Sequence, residues 1–123
     1  PNIVGNYLYH HPGQADILLT YAHSESLWIR RIAIVSTFTF IRNNAFDPTL
    51  AIAKILLNDK EDLIHKATGW MLREVYKRNA ALVKQYLKQN YAQLPRTTLR
   101  YAIEKMDKQE RQDCLKGIFD DSN

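Results

Sequence analysis

Lys66, Trp70, Arg73 and Lys77 stand at i, i+4, i+7 and i+11, the spacing that puts four side chains in one stripe of a 3.6-period helix. Three are cations and the fourth is an indole. Cations take phosphates and an aromatic ring takes a base or a sugar, so the stripe suits a nucleic acid. The opposite stripe, Ile64, Ala67, Met71, Leu72 and Val75, is an ordinary core face. A second layer of helices could instead bury Trp70 and leave the lysines merely solvated. This one helix does not choose between the two arrangements.

Other chemistry is thinly supplied. His10 and His11 are adjacent, His23 is near a loop and His65 is remote, so no histidine pair has metal-ligand spacing and no metal site or cofactor is expected. The single Cys114 has no nearby histidine to activate it and no partner for a disulfide. No glycine-rich phosphate loop is present. Among the acids, Asp59, Glu61 and Asp62 read as helix caps and dipole partners, Glu74 as a balance for nearby cations, and Asp120 and Asp121 as tail residues. None offers itself as a catalytic carboxylate.

The 123 residues carry a net charge of +4. From Lys66 to Arg100 there are eight Lys/Arg against one acid, Glu74, a local excess of +7. Such a block predicts an anionic partner; the alternative is a solvated basic face in a protein whose remainder is acidic. Four glycines and four prolines are few for a β-rich chain. One cysteine fits a reducing compartment, and a cytoplasmic location is expected. No apolar run approaches the ~18 residues that cross a bilayer. Ile32–Phe40 contains Ser36, Thr37 and Thr39 and follows two arginines, so it reads as a buried helix, and no membrane partner is expected. The chain begins at Pro1 with no signal-peptide pattern, and we expect the C-terminal part of a larger domain. Residues 1–119 read as one domain and 120–123 as a flexible tail.

To hold the stripe in place the chain offers helices throughout, about eight of them. Residues 2–10 read as the end of one. Pro12 opens the next, with Ala15, Leu18, Leu19 and Ala22 as its stripe. Ser24 is the expected N-cap of a third helix running to about Arg42, broken by Asn43-Asn44. Asp47 at N-cap and Pro48 at N1 start a fourth that ends near Asn58. Asp59 is the expected cap of a fifth, reaching about Arg78. Ala81–Tyr91, a segment opened by Pro95, and Lys108–Phe119 complete the set.

Leu27, Leu63 and Leu99 are 36 residues apart, each near a helix start and followed by a basic and a small residue. A two-helix period of this size is the signature of an all-α solenoid of HEAT or armadillo type, in which antiparallel helix pairs stack because no unit buries its apolar face alone. The third helix agrees: between Glu25 and Arg42 its only charges are Arg30 and Arg31. Shifted by 36, Trp70 corresponds to position 34, three residues from Arg31. Arg31 and Trp70 are therefore expected to face the same way on neighbouring repeats, a guanidinium beside an indole on one concave surface. For Arg31 the alternative is a buried ion pair with a carboxylate of a neighbouring helix.

Leu27-Trp28-Ile29-Arg30-Arg31-Ile32-Ala33-Ile34 and Lys66-Ala67-Thr68-Gly69-Trp70-Met71-Leu72-Arg73-Glu74 resemble the AlkD-like DNA alkylation repair enzymes, the HEAT-like-repeat DNA glycosylases. The W-x-x-R-x-A-I and K-A-x-G-W-x-L-R-E motifs stand in the family's order and spacing. Ile3–Leu8 and Tyr101-Ala102-Ile103-Glu104-Lys105 also resemble its flanking segments, so the likeness covers almost the whole chain.

The resemblance implies binding of duplex DNA and excision of cationic alkylpurines, such as 3-methyladenine and 7-methylguanine, by N-glycosidic hydrolysis without flipping the base. It implies that Arg31 contacts the backbone beside the lesion and that Trp70 cradles the deoxyribose, the two residues of the catalytic site. Lys66, Arg73 and Lys77 are then the expected DNA-binding cations. The family's catalytic carboxylate and a second aromatic lie on a helix before the segment matching Ile3–Leu8, so the expectation here is binding machinery without the catalytic acid. Self-association through an exposed N-terminal repeat end is also expected. The competing function is a non-enzymatic scaffold that binds protein partners, or DNA without catalysis.

Overall fold

The computed structural model describes residues 16–119. Within them the chain is all-α, with packed helices and no strand. The expected helix over residues 2–10, the start at Pro12 and the tail 120–123 lie outside the described residues. Helix α1 is Asp16–Ala22, α2 Leu27–Val35, α3 Phe38–Arg42 and α4 Asp47–Ile55. After a 3₁₀ turn come α5 Asp62–Tyr76, α6 Ala80–Asn90, a second 3₁₀ turn, α7 Arg96–Ala102 and α8 Lys108–Leu115.

Several boundaries differ from expectation for local reasons. Ser26, not Ser24, caps α2, its hydroxyl accepting from the Ile29 N–H at 3.3 Å. Ser24 instead accepts from the Ser26 N–H. The helix expected to reach Arg42 breaks at Ser36-Thr37, where the Thr37 N–H turns to the Ile34 carbonyl three residues back. The Thr37 hydroxyl donates to the same carbonyl at 2.6 Å and competes with the α-helical ladder. Asn44, with φ 61°, ends α3 in the left-handed conformation asparagine tolerates. Phe46 rather than Asp47 is the N-cap of α4, so Asp47-Pro48 sit one position deeper. Asp59 does not cap α5; Glu61 is the N-cap residue and makes no side-chain cap bond.

The 36-residue period is visible as contact. The Lys54 ammonium donates to the Asn90 amide oxygen at 2.8 Å, and the Arg78 guanidinium donates to the Arg42 carbonyl at 3.4 Å. In each case equivalent positions of adjacent repeats are bridged. The core runs continuously between repeats, from Leu18 through Ile34, Ile52, Met71 and Leu87 to Ile103. Helix α5 is its centre, packing on α2, α6 and α7 with Ile64, Ala67, Met71, Leu72 and Val75 all buried. That is the core stripe read from the sequence. Among the described residues no helix is long and apolar enough to cross a membrane.

Candidate nucleic-acid interface

The exposed side of α5 borders a groove of about 190 Å³. Its lining joins three repeats: Arg31 from α2, Leu63, Lys66, Ala67, Trp70 and Arg73 from α5, and Tyr101 from α7. Arg31 and Trp70, 39 residues apart, thus meet at one surface, as the shift by 36 requires. A larger hollow of about 290 Å³ lies between α4 and α6, lined by Leu50, Lys54, Tyr86 and Asn90 among others. None of the residues singled out from the sequence reaches it.

Two adjacent arginines have opposite roles. Arg30 makes the internal ion pair that Arg31 could have made: its Nε donates to Asp59 at 2.6 Å, with Asp59 almost fully buried. Its Nη1 also donates to the Ser24 and Glu25 carbonyls, each at 3.0 Å. Asp59 further accepts from the Glu61 N–H at 3.0 Å. Arg31 is half-buried along the groove and makes no hydrogen bond or ion pair with a described residue.

Trp70 is half-buried, neither sealed in the core nor free of it. Its ring leans on Phe38, with centroids 6.5 Å apart and planes tilted by 36°. The Arg42 guanidinium covers Phe38 at 5.1 Å. The indole is held by a partner ring while it still borders the groove.

The other cations of the stripe are balanced. Lys66 pairs with Asp62 at 3.5 Å. Arg73 pairs with Glu104 at 2.7 Å, and its buried Nε has no partner among the described residues. Lys77 pairs with Glu74 at 3.1 Å and does not line the groove. Beyond the stripe, Lys84 pairs with Glu110. The acids Asp62, Glu104 and Glu110 all come from outside the basic segment, so the fold tempers the +7 excess counted along the chain. Pairs this exposed are worth at most about 1 kcal/mol, and a phosphate can replace the carboxylate. Arg31 is the groove cation that has no carboxylate to displace among the described residues.

Tyr101 escaped the sequence reading as a site residue. Its place depends on Gly69 in the middle of α5. A Cβ there would fall 2.5 Å from the Tyr101 Cβ and 2.7 Å from the Thr98 carbonyl oxygen. The missing side chain lets α7 lie directly on α5 and brings the phenol to the groove. The Thr98 hydroxyl fixes the contact by donating to the His65 carbonyl at 3.0 Å. The legible signal was the glycine itself, costly in a helix interior unless another backbone must approach.

Among the described residues no carboxylate lines the groove, and no group of three or more His, Cys, Asp or Glu could hold a metal. Perturbed groups sit elsewhere. Burial pushes the Cys114 thiol up to about 11 and raises the Tyr86 phenol, which keeps Cys114 a neutral core residue. The hydrogen bond to Glu110 raises Lys84.

A sequence model described as DNA alkylation repair enzyme matches residues 1–106. The chain belongs to that family. The match spans every groove residue and ends before α8. Comparison with curated proteins and with solved structures gives no significant match. In this DNA alkylation repair protein the groove thus combines a guanidinium without a partner among the described residues, a supported indole and a phenol.

Proposed function

We propose that the groove receives the sugar-phosphate backbone of duplex DNA beside an alkylated purine. Arg31 takes a phosphate, Trp70 packs on a deoxyribose, and Lys66, Arg73 and Lys77 exchange their carboxylate partners for neighbouring phosphates. The observation that carries this reading is the Arg31 guanidinium, without a partner among the described residues, in the same groove as the Trp70 ring. A guanidinium held half-buried without a carboxylate gains most from an anionic ligand.

The reaction in this reading is hydrolysis of the N-glycosidic bond to a cationic purine such as 3-methyladenine or 7-methylguanine. The alkylated base leaves neutral, so the barrier lies in the oxocarbenium-like sugar. A carboxylate near the anomeric carbon stabilises that charge and orients water. The groove lining supplies binding and positioning; the carboxylate has to come from outside it. The carboxylate-free lining equally favours a second reading, duplex binding without excision.

Fluorescence anisotropy with a duplex bearing 7-methylguanine, read across salt concentrations, tests the binding. Affinity falls steeply with salt, and Arg31→Ala and Trp70→Ala each weaken it. Absence of binding at low ionic strength, or parental affinity in both variants, would overturn the reading. Single-turnover release of 7-methylguanine then separates excision from binding alone.

A further inference from the structure

Trp28 is the most exposed large apolar side chain among the described residues, at 63%. It lies on α2 three residues before Arg31, so indole and guanidinium are neighbours on one helix surface. Its base is firmly held: Ser26 caps the helix start, and Arg30 ties the preceding carbonyls of Ser24 and Glu25 to Asp59. A large ring is thus presented to solvent from a fixed point, one turn from Arg31, the groove cation without a carboxylate partner among the described residues.

We infer that Trp28 is a second aromatic contact of the DNA surface, packing on the strand whose phosphate Arg31 holds. The inference rests on the DNA reading of the groove and extends the contact surface past it along α2. Neighbouring i, i+3 side chains have Cβ atoms about 5–6 Å apart, a span of one to two steps of about 3.4 Å along a strand. A single chain of nucleotides can therefore touch both residues. Charge favours the same occupant. Arg30 is neutralised by Asp59, but Arg31 has no carboxylate partner among the described residues and α2 itself carries no acid, so a polyanion gains where a second copy would set like charge against like. The area argues the same way. One tryptophan buries at most about 250 Å², far below the roughly 1,200 Å² of a stable protein interface.

The sequence has two tryptophans, so Trp28→Phe and Trp70→Phe each leave one fluorescent reporter. The probe is the 7-methylguanine duplex, with binding followed independently by anisotropy. In Trp70→Phe, the remaining Trp28 emission is expected to be quenched and shielded from acrylamide, with the midpoint seen by anisotropy. Trp28→Ala is expected to weaken binding several-fold, through loss of the apolar contact between the ring and the strand. It should leave both the melting temperature and the salt slope unchanged, because no cation is removed. Trp28 emission and acrylamide access that stay constant at saturation, while Trp70 responds in Trp28→Phe, would overturn the inference and leave the groove reading standing. If neither tryptophan responds and anisotropy shows no binding, the groove reading itself fails and this one with it. Shielding of Trp28 in DNA-free protein, accompanied by a dimer in sedimentation, would assign the surface to a second copy and overturn the inference.

Discussion

Arg30 and Arg31 are consecutive, yet one guanidinium is locked to Asp59 at 2.6 Å and the other lines an open groove without a described partner. Replacing either removes the same charge, but the consequences separate. Arg30→Ala strands the buried Asp59 carboxylate and is expected to cost about 3 kcal/mol of stability. Arg31→Ala should stay within about 0.5 kcal/mol of the parent while weakening DNA binding and reducing the salt slope by about one. Urea denaturation and anisotropy on both variants check this. The reverse assignment of the two losses would contradict the structure.

Gly69→Ala should destabilise even though alanine is the better helix former by about 1 kcal/mol. The new methyl meets the Tyr101 Cβ and the Thr98 carbonyl, atoms on or next to the backbone of α7 that cannot swing away. A net loss of about 1–3 kcal/mol is expected, together with weaker DNA binding as Tyr101 is displaced. A variant at least as stable as the parent in thermal melts would show that α7 has room to move.

Glu104→Gln should strengthen DNA binding several-fold at low salt. Arg73 would no longer be neutralised by a carboxylate at 2.7 Å, and its charge would become available to phosphate. Because Glu104 is largely exposed, folding stability should change by less than about 1 kcal/mol. The salt slope should steepen by up to about one phosphate contact. Unchanged affinity would mean that Arg73 lies outside the DNA footprint.

Alkaline pH should unfold the protein through Cys114. The thiol is raised from 9.0 to about 11 by burial, so below pH 9 it is neutral in both folded and unfolded chains. Above pH 9 the unfolded chain ionises first, binds fewer protons than the native state, and stability falls as pH rises towards 11. The buried Tyr86 phenol, raised by desolvation, acts in the same direction. A loss of about 1–3 kcal/mol is expected over that window, and Cys114→Ala should flatten the part due to the thiol. Chemical denaturation at pH 8.5 and 10.5 compares the two proteins.

Much of the fold was legible because periodicity and repeat length report directly on packing. The core stripe of α5 and the 36-residue register both follow from which positions are apolar. The meeting of Arg31 and Trp70 followed from that register alone. Boundaries were less legible where side chains compete for backbone groups. Ser24 is the expected cap, and only the geometry of the Ile29 N–H chooses Ser26 two residues on. Thr37 breaks its helix through a hydroxyl that any helix pattern would tolerate. The charge count misled for a related reason. Asp62 lies just outside the counted segment and pairs with Lys66 one turn along α5, whereas Glu104, in the turn after α7, and Glu110, on α8, return to the segment only through tertiary packing. Tyr101 was hidden because its route to the groove depends on an atom Gly69 does not have.

The bridges from Lys54 to Asn90 and from Arg78 to Arg42 give the array a fixed pitch. Adding one whole unit would recreate both links at the new seam, whereas adding a few residues would throw every later side chain out of phase. Growth by complete modules is thus the tolerated route, and each module would lengthen the grooved face by one equal increment without redesigning its neighbours.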